Sequence, residues 1–147
     1  MKIKKKIKPL KLGFIGGGLS STIGQTHFSA CRLDGCWQLQ SGFFSRKRSV
    51  NKITSRNWNI NSSKTFSSLG SFLSKEKNNL DAAVVLTPTP NHYETILKLI
   101  KNKIPIICEK PLVDTLDKVK SLKRYIDKNN SFLSVTFNYT GYPMIRE

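Results

Sequence analysis

The sequence predicts an α/β fold: a doubly wound, mostly parallel sheet of about six strands with helices on both faces. Three observations predict it. A short apolar stretch runs into three consecutive glycines and then into helical spacing. Continuous apolar runs alternate with segments of helical periodicity along the remaining chain. The most unusual residue clusters each follow directly on such an apolar run. Continuous apolar runs suit strands covered on both faces, and strand–helix alternation with short connections implies right-handed crossovers in a parallel sheet.

The chain has 147 residues, the size of one domain able to bury a real core. No internal linker, repeat or low-complexity block divides it. Residues 1–10 read as a basic tail, which lacks the apolar segment of a secretory signal, and residues 11–147 as one domain. No run reaches the roughly 18 to 20 apolar residues of a membrane span. Three widely separated cysteines, Cys31, Cys36 and Cys108, do not make a disulfide framework. With no second Cys/His pair to complete a zinc site, no metal is expected, and the compartment expected is the cytoplasm. The 25 Lys and Arg against nine acids give a formal net charge of +16. That charge attracts nucleic acid or acidic surfaces. The basic residues are spread over every polar segment without a nucleic-acid motif, so non-specific attraction is all they predict.

In chain order, residues 12–15 form the first strand, and Gly16, Gly17 and Gly18 the turn after it. A helix follows, with Ile23, His27, Ala30 and Cys31 on one face and Gly35 at its C-terminal cap. Residues 37–44 make the second strand and residues 45–58 a helix with Val50 and Ile53 toward the core. Residues 59–64 are loop, Thr65 and Phe66 a very short third strand, and Leu69, Phe72 and Leu73 mark a short helix. Residues 81–86 are the fourth strand. Thr89 caps the next helix, with Pro90 at its first position, where a missing N–H costs nothing; Tyr93, Ile96, Leu97 and Ile100 are its apolar stripe. Residues 104–108 are the fifth strand. Asp114 then caps a helix whose Leu116, Val119, Leu122 and Ile126 face inward, and residues 132–137 close the sheet.

Ligands of such sheets bind outside the carboxyl ends of the strands. Three clusters fall there: Gly16-Gly17-Gly18, Thr87-Pro88-Thr89-Pro90-Asn91-His92 and Glu109-Lys110-Pro111. A strand, a glycine turn and a helix N-terminus are the parts a nucleotide pyrophosphate needs. In that role Gly16 makes the tight turn, Gly18 admits the phosphate oxygens and Gly24 lets the helix pack closely. The usual G-x-G-x-x-G spacing is lengthened here, from Gly18 to Gly24, and a strand–turn–helix without a ligand also accounts for these glycines. Lys110 has a solvated loop lysine as its competing account, Glu109 a surface carboxylate, and His92 a helix-terminal hydrogen bond. His27 reads as packing, and Cys108 as a small buried apolar residue.

With these clusters the sequence resembles the glucose-fructose oxidoreductase, inositol dehydrogenase and rhizopine-catabolism (Gfo/Idh/MocA) oxidoreductases. The carriers are the glycine turn, Thr87-Pro88 with His92 four residues after the proline, and Glu109-Lys110-Pro111. Ile23-Gly24-Gln25-Thr26-His27 and the ending Asn138-Tyr139-Thr140-Gly141-Tyr142-Pro143-Met144 resemble one subgroup. The resemblance spans residues 11–147. It implies a Rossmann domain that binds NAD or NADP and a hydride-transfer chemistry at a carbinol carbon of sugars or polyols. It also places Lys110 near the nicotinamide and the substrate as the catalytic residue and His92 close to the cofactor, with Glu109 among the cofactor-binding residues, orienting either Lys110 or the cofactor. NAD-binding sheets usually carry an acid about 20 residues past the glycines for the ribose 2′-hydroxyl. Ser45 and Arg46 stand there with Lys47 and Arg48, a set suited to a 2′-phosphate. NADP is therefore favoured over NAD.

The family continues into a second domain with substrate and acid–base groups that these 147 residues do not contain. The sequence therefore predicts dinucleotide binding, with little or no turnover by this polypeptide alone. Three readings follow: the cofactor domain of an oxidoreductase completed by a separate chain, a stand-alone dinucleotide-binding module without catalysis, and a basic nucleic-acid-binding protein.

Overall fold

A computed structural model describes residues 8–146, so most of the basic tail lies outside the described residues. The chain runs β1 (Leu10–Gly16), α1 (Thr22–Ala30), β2 (Trp37–Phe43), α2 (Arg48–Asn57), α3 (Leu69–Glu76) and β3 (Ala82–Leu86). It continues through α4 (His92–Lys101), β4 (Ile106–Glu109), α5 (Leu116–Asn129), β5 (Leu133–Thr136) and α6 (Pro143–Arg146). Short 3-10 turns occupy Ser62–Lys64, Thr89–Asn91 and Asn138–Gly141.

The sheet has the order β2-β1-β3-β4-β5, and all its pairings are parallel. The chain leaves β1 toward β2 on one side, then crosses back to place β3 on the other. The strand order reverses between β1 and β3, which is where a doubly wound sheet opens its crevice. β3 is buried at every residue, because it lies centrally with helices on both faces. One face packs Phe66, Phe72, Ile96, Leu99, Ile106 and Leu122 beneath α3, α4 and α5. The other packs Phe14, Phe44, Val84 and Leu86 with Trp58 and the α1 residues near Phe28 and Cys31. There Phe28 stacks on Trp58 at 4.5 Å, and Phe14 meets Trp58 edge-on at 6.1 Å.

The predicted α/β sheet is present with five strands rather than six. Thr65 forms only an isolated parallel bridge with Gly42, directly after the 3-10 turn at Ser62–Lys64. Several inward-facing assignments are corrected. Ile53, Leu116 and Val119 are 54%, 66% and 39% exposed, and Ile23 and Ala30 are exposed while Gly24, Phe28 and Cys31 turn inward. In α2 the buried residues are Asn51, Thr54 and Ser55. Apolar periodicity misses them because their polar groups are satisfied on backbone: the Ser55 hydroxyl on the Lys52 carbonyl of the same helix, Asn51 and Thr54 on loops. Asn51 Oδ1 accepts from Ser45 N–H at 2.9 Å, its Nδ2 donates to the Ser45 and Phe66 carbonyls, and Thr54 Oγ1 accepts from Leu19 N–H at 2.9 Å.

Capping also shifts by a residue or more. Thr115, not Asp114, accepts from the Lys118 N–H. Asp114 instead pairs with the Lys118 ammonium at 2.8 Å, which holds its carboxyl below the usual range. Thr89 and Pro90 lie in the 3-10 turn, so α4 begins only at His92 and Thr89 caps nothing. Gly35 adopts a left-handed φ of 69° in the turn into β2, four residues past the Cys31 cap of α1.

Candidate functional site

The carboxyl ends of β1 and β3 converge on the glycine turn. Gly16 has φ 84° and Gly17 φ 65°, the left-handed region that side chains avoid. A Cβ on Gly16 would stand 2.8 Å from the backbone of Leu86 and Thr87. Ser21 caps α1 by accepting from Gly24 N–H at 3.2 Å, which leaves the N–H groups of Thr22 and Ile23 without intrahelical acceptors. Gly24 is packed so tightly on Gly17 that any Cβ there would overlap the Gly17 carbonyl. Gly18 is buried between this turn and α2, with Val50 and Thr54 closest to it.

A cleft of about 890 Å³ opens over these residues, and Gly16, Gly18, Ser45, Arg46, Thr87 and Pro88 line it. Six of the residues singled out from sequence are thus brought to one cavity. Ser45 is held by the Asn51 bracket already described, and its Oγ accepts from the Lys47 N–H at 3.1 Å. Arg46 is exposed at the cleft mouth with Lys47 beside it, and no carboxylate follows β2 before α2. Thr87 Oγ1 is buried without a hydrogen-bond partner among the described residues.

Four residues do not line the cleft. Gly24 lies beneath the turn. His92 is 1% exposed and directed at backbone: Nε2 donates to the Thr87 carbonyl at 2.6 Å, and Nδ1 lies 3.1 Å from the Pro111 and Leu112 carbonyls. It therefore ties the loop after β3 to the loop after β4. Glu109 is 8% exposed at the end of β4. Its Oε1 accepts from His27 Nε2 at 2.7 Å, and its Oε2 accepts from the Lys110 backbone N–H at 3.3 Å. The Lys110 side chain is exposed, and its ammonium has no partner among the described residues. The Lys110–Pro111 peptide is cis.

Two participants were not legible from the chain. Gly17 was one of three adjacent glycines, with nothing to show that its carbonyl would seat Gly24. His27 read as packing, and it does meet the Phe14 ring edge-on at 6.4 Å. Its partner Glu109 lies 82 residues away, beyond any local pattern.

Cys108 is fully buried, 3.5 Å from His92 Nδ1. Burial first, then the Glu109 charge, push its thiol up to about 12. Burial also raises Cys31, while the hydrogen bond and charge of Asp34 raise the exposed Cys36. A thiol is alkylated as thiolate and only when reached. Iodoacetamide at about pH 8 is therefore expected to label Cys36 alone in native protein, with Cys31 and Cys108 reacting after unfolding. Peptide mass spectrometry reads the outcome, and native labelling of Cys108 would show the end of β4 to be open.

Among the described residues no cluster of His, Cys, Asp and Glu could hold a metal ion, and no helix is long and apolar enough to cross a membrane.

The model of the oxidoreductase family with the NAD-binding Rossmann fold (Gfo/Idh/MocA) matches residues 10–137. An uncharacterized oxidoreductase of Bacillus subtilis, YfiI, is 25% identical over 142 residues, covering 94% of this chain and 36% of that protein. Among solved structures, an oxidoreductase from Sinorhizobium meliloti superposes with a TM-score of 0.86 at 34% identity. That match covers 95% of this chain and 40% of the other. An inositol dehydrogenase homolog from Azotobacter vinelandii, solved in complex with NAD+, gives a TM-score of 0.89 at 25% identity. It covers 97% and 38% of the two chains. The chain thus spans about two-fifths of the length of these relatives.

Proposed function

We propose, from the premise that this chain belongs to the Gfo/Idh/MocA oxidoreductase family and carries its NAD-binding Rossmann fold, that it binds the dinucleotide for hydride transfer at a carbinol carbon of a sugar or polyol. One observation carries the proposal. The glycine turn and the cleft lie at the carboxyl edge of the sheet at the β1/β3 switch point, and Lys110 follows the carboxyl end of β4, the next strand beyond β3.

The residues present fit such a coenzyme. A volume of about 890 Å³ suits a nucleotide-sized ligand. The glycine turn leaves no side chain over the free N–H groups that open α1, where a pyrophosphate gains most. A bound coenzyme supplies the hydride acceptor or donor. The protein's part is then to hold the diphosphate at Gly16 to Gly18, position the ribose at Ser45 and Arg46, and wall the redox end with Thr87 and Pro88. Lys110 places a cation beside the reacting oxygen, where it stabilises developing negative charge. The relatives' names support a polyol substrate: one is an inositol dehydrogenase homolog, and an inositol 2-dehydrogenase of Rubrobacter xylanophilus is 37% identical over 43 residues.

NADP(H) is the preferred form on this reading, because a guanidinium and a hydroxyl, with no acid, follow β2. Arg46→Glu is expected to weaken NADPH binding about ten- to hundredfold, the worth of a charge-assisted pair, while NADH stays within about threefold. Titration of the 147-residue chain with each reduced coenzyme, followed by fluorescence, measures both. Equal losses for the two would remove the preference. No calorimetric response to any pyridine nucleotide at millimolar levels would remove the function itself.

Turnover needs the part of the enzyme that holds substrate, in this polypeptide or in another. Support for a partner surface comes from the residues that flank and follow β5, where Phe132, Phe137, Tyr139 and Met144 are 61%, 59%, 67% and 88% exposed. The net positive charge adds non-specific, salt-sensitive attraction to nucleic acid. Three unpaired cysteines agree with a reducing cytoplasm.

A further inference from the structure

The contact between His27 and Glu109 ties α1 to the end of β4, two elements that also share the core around Phe28, Cys31 and Ile107. His27 sits in the last turn of α1, the helix whose first turn stacks on the glycine loop. Glu109 ends β4, immediately before Lys110. Their side chains are 15% and 11% exposed, and they meet at 2.7 Å. The imidazole is set against Phe14, so its direction is determined by packing and its Nε2 is left aimed at the carboxylate. The second carboxylate oxygen takes the backbone N–H of Lys110. Both oxygens of Glu109 are therefore engaged inside the protein, and neither reaches the Lys110 ammonium or lines the cleft.

We propose that His27 is a positioning residue for the redox end of the coenzyme site: it anchors Glu109, and Glu109 anchors the backbone that presents Lys110. The assignment rests on the proposed function, since Lys110 matters in this way only if a nicotinamide ring lies beside it. It gives Glu109 a different role from one in which the carboxylate itself touches the coenzyme. His92 braces the same segment from the far side through Pro111 and Leu112. The Glu109-Lys110-Pro111 turn is thereby clamped between α1 and α4. Because α1 also opens the phosphate-binding turn, the clamp makes a rigid connection between the two ends of the ligand. A neutral imidazole with its proton on Nε2 suffices for the bond.

The test separates the two ends by using two ligands. NADPH spans the whole site, whereas 2′-phospho-ADP-ribose lacks the nicotinamide and reports only on the glycine turn, Ser45 and Arg46. His27→Leu removes the donor. It is expected to weaken NADPH about tenfold, the loss of one hydrogen bond to a charged group, while 2′-phospho-ADP-ribose stays within about twofold. His27→Gln extends an amide N–H to about the same reach and should bring NADPH back to within about threefold of the parent. Should His27→Leu fail to fold, as circular dichroism would show, His27→Asn replaces it; its amide is too short to reach Glu109, and it is expected to show the same selective loss. Equal weakening of both ligands, no weakening of either, or no recovery with His27→Gln would each overturn the assignment. If the parent chain binds neither ligand, the proposed function fails first and takes this inference with it.

Discussion

Gly24→Ala is expected to abolish measurable coenzyme binding and to destabilise the domain together. The added methyl has nowhere to go: it would overlap the Gly17 carbonyl, and Gly17 is itself held at φ 65° with its own neighbour Leu86 against it. Relief requires α1 to move away from the turn. Overpacking against backbone costs about 3 kcal/mol, which for a domain of this size lowers the melting temperature by about 10 °C. Displacing the α1 N-terminus also removes its N–H groups from their aim, and misplacement of that order costs about hundredfold in ligand binding or reactivity. Thermal melting and NADPH titration on one preparation measure both effects. Gly70→Ala is the control. Gly70 lies in α3, where a Cβ would meet nothing nearer than Ser68 Oγ at 4.0 Å, so alanine there should be neutral or stabilising by about 0.5 kcal/mol. Parent-like binding by Gly24→Ala would show that coenzyme binding does not depend on the close stacking of α1 on the turn.

Lys110→Met is expected to separate chemistry from binding. Methionine keeps an unbranched stem of similar length and removes the charge. Since the ammonium makes no contact within the described residues, its loss should leave folding unaffected and weaken the coenzyme by no more than about tenfold, the loss expected when His27→Leu frees the same segment. In an assay where the chain works with the substrate-holding part of the enzyme, hydride transfer should slow about 10²- to 10³-fold, the usual cost of removing one group that stabilises developing oxyanion charge. The fall should appear in kcat and in kcat/KM alike. A loss confined to coenzyme affinity would instead make Lys110 a binding residue and move the reacting oxygen elsewhere.

The fold was legible because its evidence is local. Residues 82–86 form a run of five apolar residues, and no other environment suits such a run as well as the middle of a parallel sheet. The glycine turn was legible because three adjacent glycines are costly anywhere except where backbone must bend sharply or approach closely. Helix faces were read less well. Asn51 and Thr54 face inward because loop backbone beside the glycine turn needs their hydrogen-bonding groups, and Ile53 faces out one step further round α2. A hydrophobic period cannot register a polar side chain that is buried by being satisfied. Thr65 and Phe66 have strand-like composition, yet one bridge to Gly42 is all they form.

The sequence by itself determined the α/β class, the glycine turn after the first strand and the placement of three unusual clusters at one edge of a sheet. Each depends on neighbouring residues and on rules of chain crossover. Only the tertiary structure decided what joins those clusters: Glu109 turned toward His27 and the Lys110 backbone N–H rather than toward the Lys110 ammonium, and His92 buried against Thr87, Pro111 and Leu112 rather than open to the cleft. Those bonds connect residues up to 82 positions apart. Their geometry exists only after β1, β3 and β4 have been brought side by side.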